Sequence, residues 1–410
     1  MHVSPLIEKK RDGHALTAKE INSLMEDFTV GEIPDYQMSA WAMAVLFRGM
    51  TPAETRHLTD SMMRSGRILK YPDGSPPKID KQSTGGVGDK VSLVLAPLLA
   101  CDEVWVPMIS SRGTGITGGT LDKLESIPGF NVNLDEKRAL KQLDKIGVFM
   151  IGETEDICPA DKKLYALRDE TGTVPSQPLI VASIMSKKLA ENLDRLVLDV
   201  KFGTGAFMKT KEEAEQLAKA MTNVGESMKV KTSYLLNPMD EPLGRTVGNA
   251  LEVAECVEIL QGGGPLDVIE LIIDLAEKVS ETPRAQLEKR LQDGSAWKKF
   301  VSLVYAQDGD ATMVEKILEQ HRAPIIQAWP AKSAGQVKKI DAGLIGRASV
   351  MLGAGRQRAD DPIDFAVGFS GIKKVGEHVD LDEPLFVIHA RNERSIVNIT
   401  PLLEKAVEIA

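Results

Sequence analysis

Cysteine is scarce in this chain. Cys101, Cys158 and Cys256 are the only three in 410 residues, an odd number set far apart. That usage argues against a disulfide framework, gives no metal-site spacing, and fits reduced, buried thiols. Long apolar runs are missing too, since none approaches the ~20 residues needed to span a bilayer. Where a secretory leader would need an apolar stretch, the N-terminal region carries Glu8, Lys9, Lys10, Arg11 and Asp12, so a cytoplasmic location is expected. Positive charge is not in excess. Fifty Lys and Arg stand against 59 Asp and Glu, a net charge of −9, so neither nucleic acid nor membrane is expected as a partner. No internal repeat or low-complexity tract stands out.

What is present reads as a globular chain. Hydrophobic residues make up 43% and charged residues 27%, the balance of a packed chain. The length exceeds one ordinary core, so two or three structural units are expected. Residues 4–65 read as all-helical. Ser4 and Pro5 open one helix that Gly13 stops, and Thr17 caps the next. Tyr36–Arg48 has helical spacing and ends at Gly49. Thr51-Pro-Ala-Glu54 is a capping box with Pro at the first helical position. Strand-like and helical segments then alternate near Ile79 and over 91–100, 104–109, 121–127, 135–145 and 147–151, which argues for a parallel α/β sheet. Helix returns over 160–192, and 195–201 reads as a buried strand. Residues 333–390 hold short β-like runs with frequent glycines. The expected class is therefore α/β. A small all-helical domain is built from two chain segments (1–66 plus 159–192). A large α/β domain has a central, mostly parallel sheet (67–158 plus 193–330), and a β-rich α+β subdomain closes the chain (331–410).

Two loops carry the chemistry. Lys81-Gln-Ser-Thr-Gly-Gly-Val-Gly-Asp-Lys90 packs three glycines, two hydroxyls and two lysines between an extended segment and the predicted helix from Val91. Glycines let backbone N–H groups converge on an anion, the helix adds the positive end of its dipole, and Lys81 adds a full charge. The G-x-x-x-x-G-K-[ST] order of a Walker A loop is absent. A second loop, Ser110 to Glu125, follows the strand-like Val104–Ile109 and brings Ser110, Thr117, Thr120 and four glycines. Thr120 is placed to cap the following helix, with Lys123 where a capping box would have Glu. One anion gripped from two sides, at the C-terminal ends of a parallel sheet, is the expected arrangement.

Lys81–Asp89 and Ser110–Gly129, which span these two loops, together with Ala160–Asp169, Pro178–Glu191, Leu198–Phe207 and Leu352–Arg356, resemble the signature blocks of the thymidine and pyrimidine-nucleoside phosphorylase family. The resemblance covers essentially the whole chain. It implies reversible phosphorolysis of a pyrimidine nucleoside, with inorganic phosphate as co-substrate and no cofactor, by a homodimer whose helical domain is hinged near Gly66, Cys158 and Leu193. Lys81, Ser83, Ser92, Ser110 and Thr120 match the family's phosphate positions. Arg168, Ser183 and Lys187 match its base-binding positions, with Arg168 and Lys187 opposing charge that develops on the leaving base, and Tyr165, in the same Ala160–Asp169 block, is a further candidate substrate-binding residue. Ser183 and Lys187, at i and i+4, share one helix face.

The departures are as informative. Gln82 stands where the family usually has a histidine facing the base. All six histidines lie outside 58–320, so nothing nearby in sequence replaces it. Gln82 has no proton to give at neutral pH, but its amide can donate to O2 of a base or accept from an exocyclic amine. Thr114 and Ile116 replace a common Leu and His. Some family members are said to bind a cation near the first loop and the segment matching Leu243–Glu255. Here Lys90 is placed to pair with Glu255 instead, and no required metal is expected. Two other readings stay open: a magnesium-dependent phosphoribosyltransferase of the same broad fold, and a non-catalytic nucleoside-binding protein.

Overall fold

The computed structural model describes residues 2–113, 115–116, 118–356, 358 and 361–410. Thr114 and Thr117, singled out above, lie outside the described residues.

Four helices open the chain: α1 (Ser4–Arg11), α2 (Ala18–Thr29), α3 (Asp35–Arg48) and α4 (Pro52–Arg64). The punctuation read from sequence sets their ends. Thr17 and Thr51 each close a full capping box, with Glu20 and Glu54, which satisfies amide donors that the first helical turn leaves orphaned. Gly13 and Gly49 stop α1 and α3 at φ +89° and +67°, where a side chain would strain the backbone.

Strands and helices then alternate: β1 (Ile79–Ser83), α5 (Val91–Leu99), β2 (Val106–Ser110), α6 (Thr120–Leu124), α7 (Glu136–Ile146) and β3 (Val148–Gly152). Next come α8 (Pro159–Thr171), α9 (Gln177–Ala190), β4 (Arg195–Phe202), α10 (Lys211–Ser227), β5 (Lys231–Pro238) and α11 (Asn249–Leu260). The segment read as helix over 160–192 is thus two helices, broken at Gly172 (φ +66°). The strands form a trio in the order β1-β4-β5 and a parallel pair β2-β3. Bonds at either end of the trio pair Lys78 with Asp194 and Thr84 with Asp199, and Lys231 with Asp194 and Met239 with Phe202. All three strands therefore run the same way, and Ile79 N–H bonded to Trp105 O (2.9 Å) ties β1 to the start of β2.

The chain divides into two compact units. One holds residues 1–78, 153–196 and 216–233, and the other holds 79–152, 197–215 and 234–410. The first contains a helical core around Ile21, Phe28, Trp41, Leu58, Leu164 and Leu179. The second has two cores. One lies around α5, α11 and the helices that follow it. The other lies in the C-terminal region, where antiparallel strands Ile325–Pro330, Pro384–Ala390 and Gly368–Ser370 pack with helices Ala342–Leu352 and Glu393–Ala406. The β-like run of 333–390 is therefore interrupted by a helix that its glycines disguised. Cys158 and Cys256 are buried and Cys101 is half-buried, all three free.

Candidate active site

In the α/β unit, β1 delivers Lys81 and Ser83 to the first glycine loop, and the start of α5 delivers Ser92. Lys81 is 3% exposed. Its Nζ lies 3.5 Å from Ser92 Oγ, 3.4 Å from Asp199 Oδ2 and 3.7 Å from Asp89 Oδ2. These contacts are longer than ordinary charge-assisted hydrogen bonds, so the ammonium is positioned by two carboxylates without being tightly held by either. Ser83 donates to Asp89 Oδ2 (2.6 Å), and Asp89 Oδ1 takes the N–H of Val91 (3.3 Å). Burial alone would raise the Asp89 pKa, but Lys81 and Lys201 more than offset it and hold the carboxyl well below its usual range. Asp199 is bridged by Lys201 (2.7 Å) and Asn237 (2.6 Å). Thr84, from the same loop, accepts the Lys201 N–H through Oγ1 (2.9 Å) and donates its own N–H to Asp199 O (3.0 Å). Buried Asp199 and Lys201, with half-buried Asn237, thus form a support behind Lys81. The Leu198–Phe207 block contained Asp199 and Lys201, but nothing in their spacing announced that they face β1.

The second loop is built differently from the expectation. Thr120 is not the cap of α6. Gly119 is the cap residue, and Thr120 is the first helical residue, with no side-chain cap bond. The reason is steric: a Cβ on Gly119 would lie 2.1 Å from Gly113 N and 2.4 Å from Arg112 C. The loop closes on itself there, and Asp122 Oδ2 accepts the Gly113 N–H (2.7 Å). Lys123, which replaces the capping-box Glu, is fully buried. It donates to Asp89 O and Gly118 O, both at 3.0 Å, and lies 3.3 Å from Glu252 Oε2. One ammonium therefore ties the two glycine loops together. Ser110 sits half-buried at the C-terminal end of β2, in register with Gly152. Gln82 is half-buried, and its amide donates to Ser83 O (2.7 Å).

The expected pairing of Lys90 is present. Its ammonium bonds Glu255, Leu243 O and Thr246. Among the described residues, no group of three or more His, Cys, Asp or Glu is placed to hold a metal ion.

In the helical unit, α8 carries Asp161, Tyr165 and Arg168, and α9 carries Ser183 and Lys187. Lys187 Nζ bonds Asp161 Oδ2 (2.5 Å) and Ser183 Oγ (3.3 Å) and lies 3.8 Å from Glu153. Burial opposes its charge, but Asp161 and Glu153 outweigh it and raise its pKa. The i, i+4 pairing of Ser183 and Lys187 is thus realised, and Asp161, two residues into the Ala160–Asp169 block, is the partner that sequence reasoning missed. Arg168 is 1% exposed and donates to the carbonyls of Val174 (2.7 Å), Leu179 (3.2 Å) and Thr173 (3.5 Å). Three of its five N–H donors thereby hold the turn between α8 and α9. Its guanidinium lies 5.7 Å over the Tyr165 ring, and burial lowers its pKa.

Residues 75–279 match the glycosyl transferase family α/β domain, 4–66 its helical bundle domain, and 336–410 the pyrimidine nucleoside phosphorylase C-terminal domain. The pyrimidine-nucleoside phosphorylase of Geobacillus stearothermophilus is 47% identical over 403 residues, covering 96% of this chain and 93% of that protein. That of Staphylococcus aureus (strain MSSA476) is 44% identical over 419 residues, covering 100% and 96%. Anthranilate phosphoribosyltransferase from Thermus thermophilus shares the fold, with a TM-score of 0.59 at 18% identity over 75% of this chain and 99% of that one. With close similarity along its entire length and all three domains matched in order, the chain belongs to the pyrimidine-nucleoside phosphorylase family.

Proposed function

We propose that this protein catalyses the reversible phosphorolysis of pyrimidine nucleosides to free base and pentose 1-phosphate, as a pentosyltransferase with inorganic phosphate as co-substrate and no cofactor. The observation that carries this reading is the similarity to pyrimidine-nucleoside phosphorylases along the whole chain. A phosphate oxygen bonds to C1′ as the C1′–N bond breaks. The bonding pair leaves with the base nitrogen, which takes a proton. The transition state carries positive charge on the sugar and growing negative charge on the base.

In this reading Lys81, Ser83, Ser92, Ser110 and Thr120 hold the phosphate. Tyr165, Arg168, Ser183 and Lys187 bind the nucleoside, and Arg168, Lys187 and Gln82 act on the base. The loose seat of Lys81 between Asp89 and Asp199 supports its part, because its protons remain available to an anion. Thr120 N–H, in the first turn of α6, is among the amides without an intrahelical partner. Lys187 is kept charged by Asp161 and can polarise a pyrimidine carbonyl. The division into a helical domain, an α/β domain and a C-terminal subdomain, a cytoplasmic location and a homodimer belong to the same reading. The dimer is supported by Tyr36, Ala40, Met43 and Phe47, an exposed apolar stripe on α3 at helical spacing.

The test is a panel of uridine, thymidine, deoxyuridine and cytidine with phosphate present or omitted. Base release that requires phosphate is the expected result. Release in neither condition overturns the reading in favour of a binding protein. Magnesium-dependent consumption of a pyrophosphorylated pentose overturns it in favour of a phosphoribosyltransferase.

A further inference from the structure

The Lys90 ammonium has no part in the chemistry above, yet it is completely buried. Its hydrogen-bond partners are four oxygens. Leu243 O lies at 3.0 Å, Thr246 O at 3.1 Å and Thr246 Oγ1 at 3.2 Å, and Glu255 Oε2 closes the set. Four oxygens converge on a group with three protons. With four acceptors and three protons, at least one proton is shared between two oxygens. Two backbone carbonyls, a hydroxyl and one carboxylate are the hard oxygen donors that suit an alkali cation. An ammonium and a potassium ion are close in size and equal in charge.

The cage is also rigid. Glu255 Oε1 takes the Arg245 N–H (2.9 Å), and Thr246 Oγ1 lies 3.1 Å from Oε2. A Cβ on Gly244 would lie 2.8 Å from Lys90 Nζ, so the chain itself walls one side. The first glycine loop rests directly on it: a Cβ on Gly88 (φ +75°) would lie 2.5 Å from Leu243 O and 3.1 Å from Thr246 O. What fills the cage therefore fixes the backbone that carries Ser83, Asp89 and the start of α5. A separate metal ion does not fit while the ammonium is there.

We propose that Lys90 is a tethered monovalent cation. It holds the glycine loop in shape without potassium or sodium, and its removal uncovers a cage that takes a potassium-sized ion. The inference does not rest on the phosphorylase reading, because its main readout is thermal stability.

The experiment compares the full-length protein, Lys90→Ala and Lys90→Ser in potassium chloride and in tetramethylammonium chloride at equal ionic strength. The parent is expected to melt at the same temperature in both salts. Each variant is expected to melt lower than the parent in tetramethylammonium and to regain about 3 °C in saturating potassium. Lys90→Met, whose apolar stem fills the space, should show no potassium response. In the parent assay the phosphate KM should not change with the cation. In Lys90→Ala it should rise in tetramethylammonium and fall back in potassium. A parent whose melting temperature depends on potassium overturns the proposal. So do Ala and Ser variants that are indifferent to the cation, or that fail to fold even in potassium.

Discussion

At the scale of single residues, the phosphate lysine is the sharpest test of the site. Lys81 lies between two carboxylates, neither of which it bonds at ordinary length. Lys81→Ala removes a charge-assisted contact to a dianion and should raise the phosphate KM about 10- to 100-fold. An unchanged phosphate KM and turnover in steady-state assays would remove Lys81 from the site. Gln82 tests specificity. Its amide donates to Ser83 O, and it carries no proton that titrates near neutrality. Gln82→His should introduce a pH limb near ~6.5 and reorder the preference among uridine, thymidine, deoxyuridine and cytidine. The same rank order in both enzymes would refute a specificity role. Arg168 combines two duties. Because it holds two carbonyls of the α8–α9 turn and one in the first turn of α9 from a buried position, Arg168→Ala should lower turnover and melting temperature together. Loss of turnover with unchanged melting would show that the turn does not need it.

Elements are held by charges that the interior does not tolerate unpaired. Glu54 is the clearest case, since one buried carboxylate serves three ends. It closes the α4 capping box on Thr51 N–H (2.8 Å), accepts the Leu16 N–H (2.7 Å), and pairs with buried Lys10 (2.8 Å). Burial alone would raise its pKa, but Lys10 and the two amides bring it below the ordinary value. A carboxylate with a depressed folded pKa contributes stability that is full above the unfolded value and is lost as pH falls through the folded one. Glu54→Gln leaves Lys10 buried without its counter-charge and should cost about 3–5 kcal/mol at neutral pH. It should also flatten the acid limb of stability below about pH 4.3. Urea melts of parent and variant across that range measure both effects, and parallel acid limbs would show that Glu54 is not the titrating group.

For the whole molecule, the open question is what covers α3. Tyr36 is 73% exposed and Phe47 79%, large apolar surfaces that are costly to leave in water. A second copy seated on this stripe is expected, and sedimentation should give the dimer mass of a 44.7 kDa chain. Phe47→Asp should shift the protein toward monomer with its helical content intact. A parent that sediments as a monomer would contradict the dimer.

The starts of α2 and α4 at Thr17 and Thr51, the glycine stops of α1 and α3, the two glycine loops, the α/β class and the Lys90–Glu255 pair were legible in the sequence. Each depends on local rules or on a run of residues long enough to be matched as a block. Capping boxes act over three residues, and glycine stops act at one. What only the tertiary structure decided are the partnerships across distance. Lys123 stands where a cap would want Glu, yet it ties two loops by reaching Asp89. Asp199 supports Lys81 from a strand more than a hundred residues away, and Asp161 keeps Lys187 charged from the neighbouring helix. Gly119 displaced Thr120 from its cap because the loop backbone passes too close for a side chain. A buried charge finds its partner through packing, which sets distances that no spacing along the chain encodes.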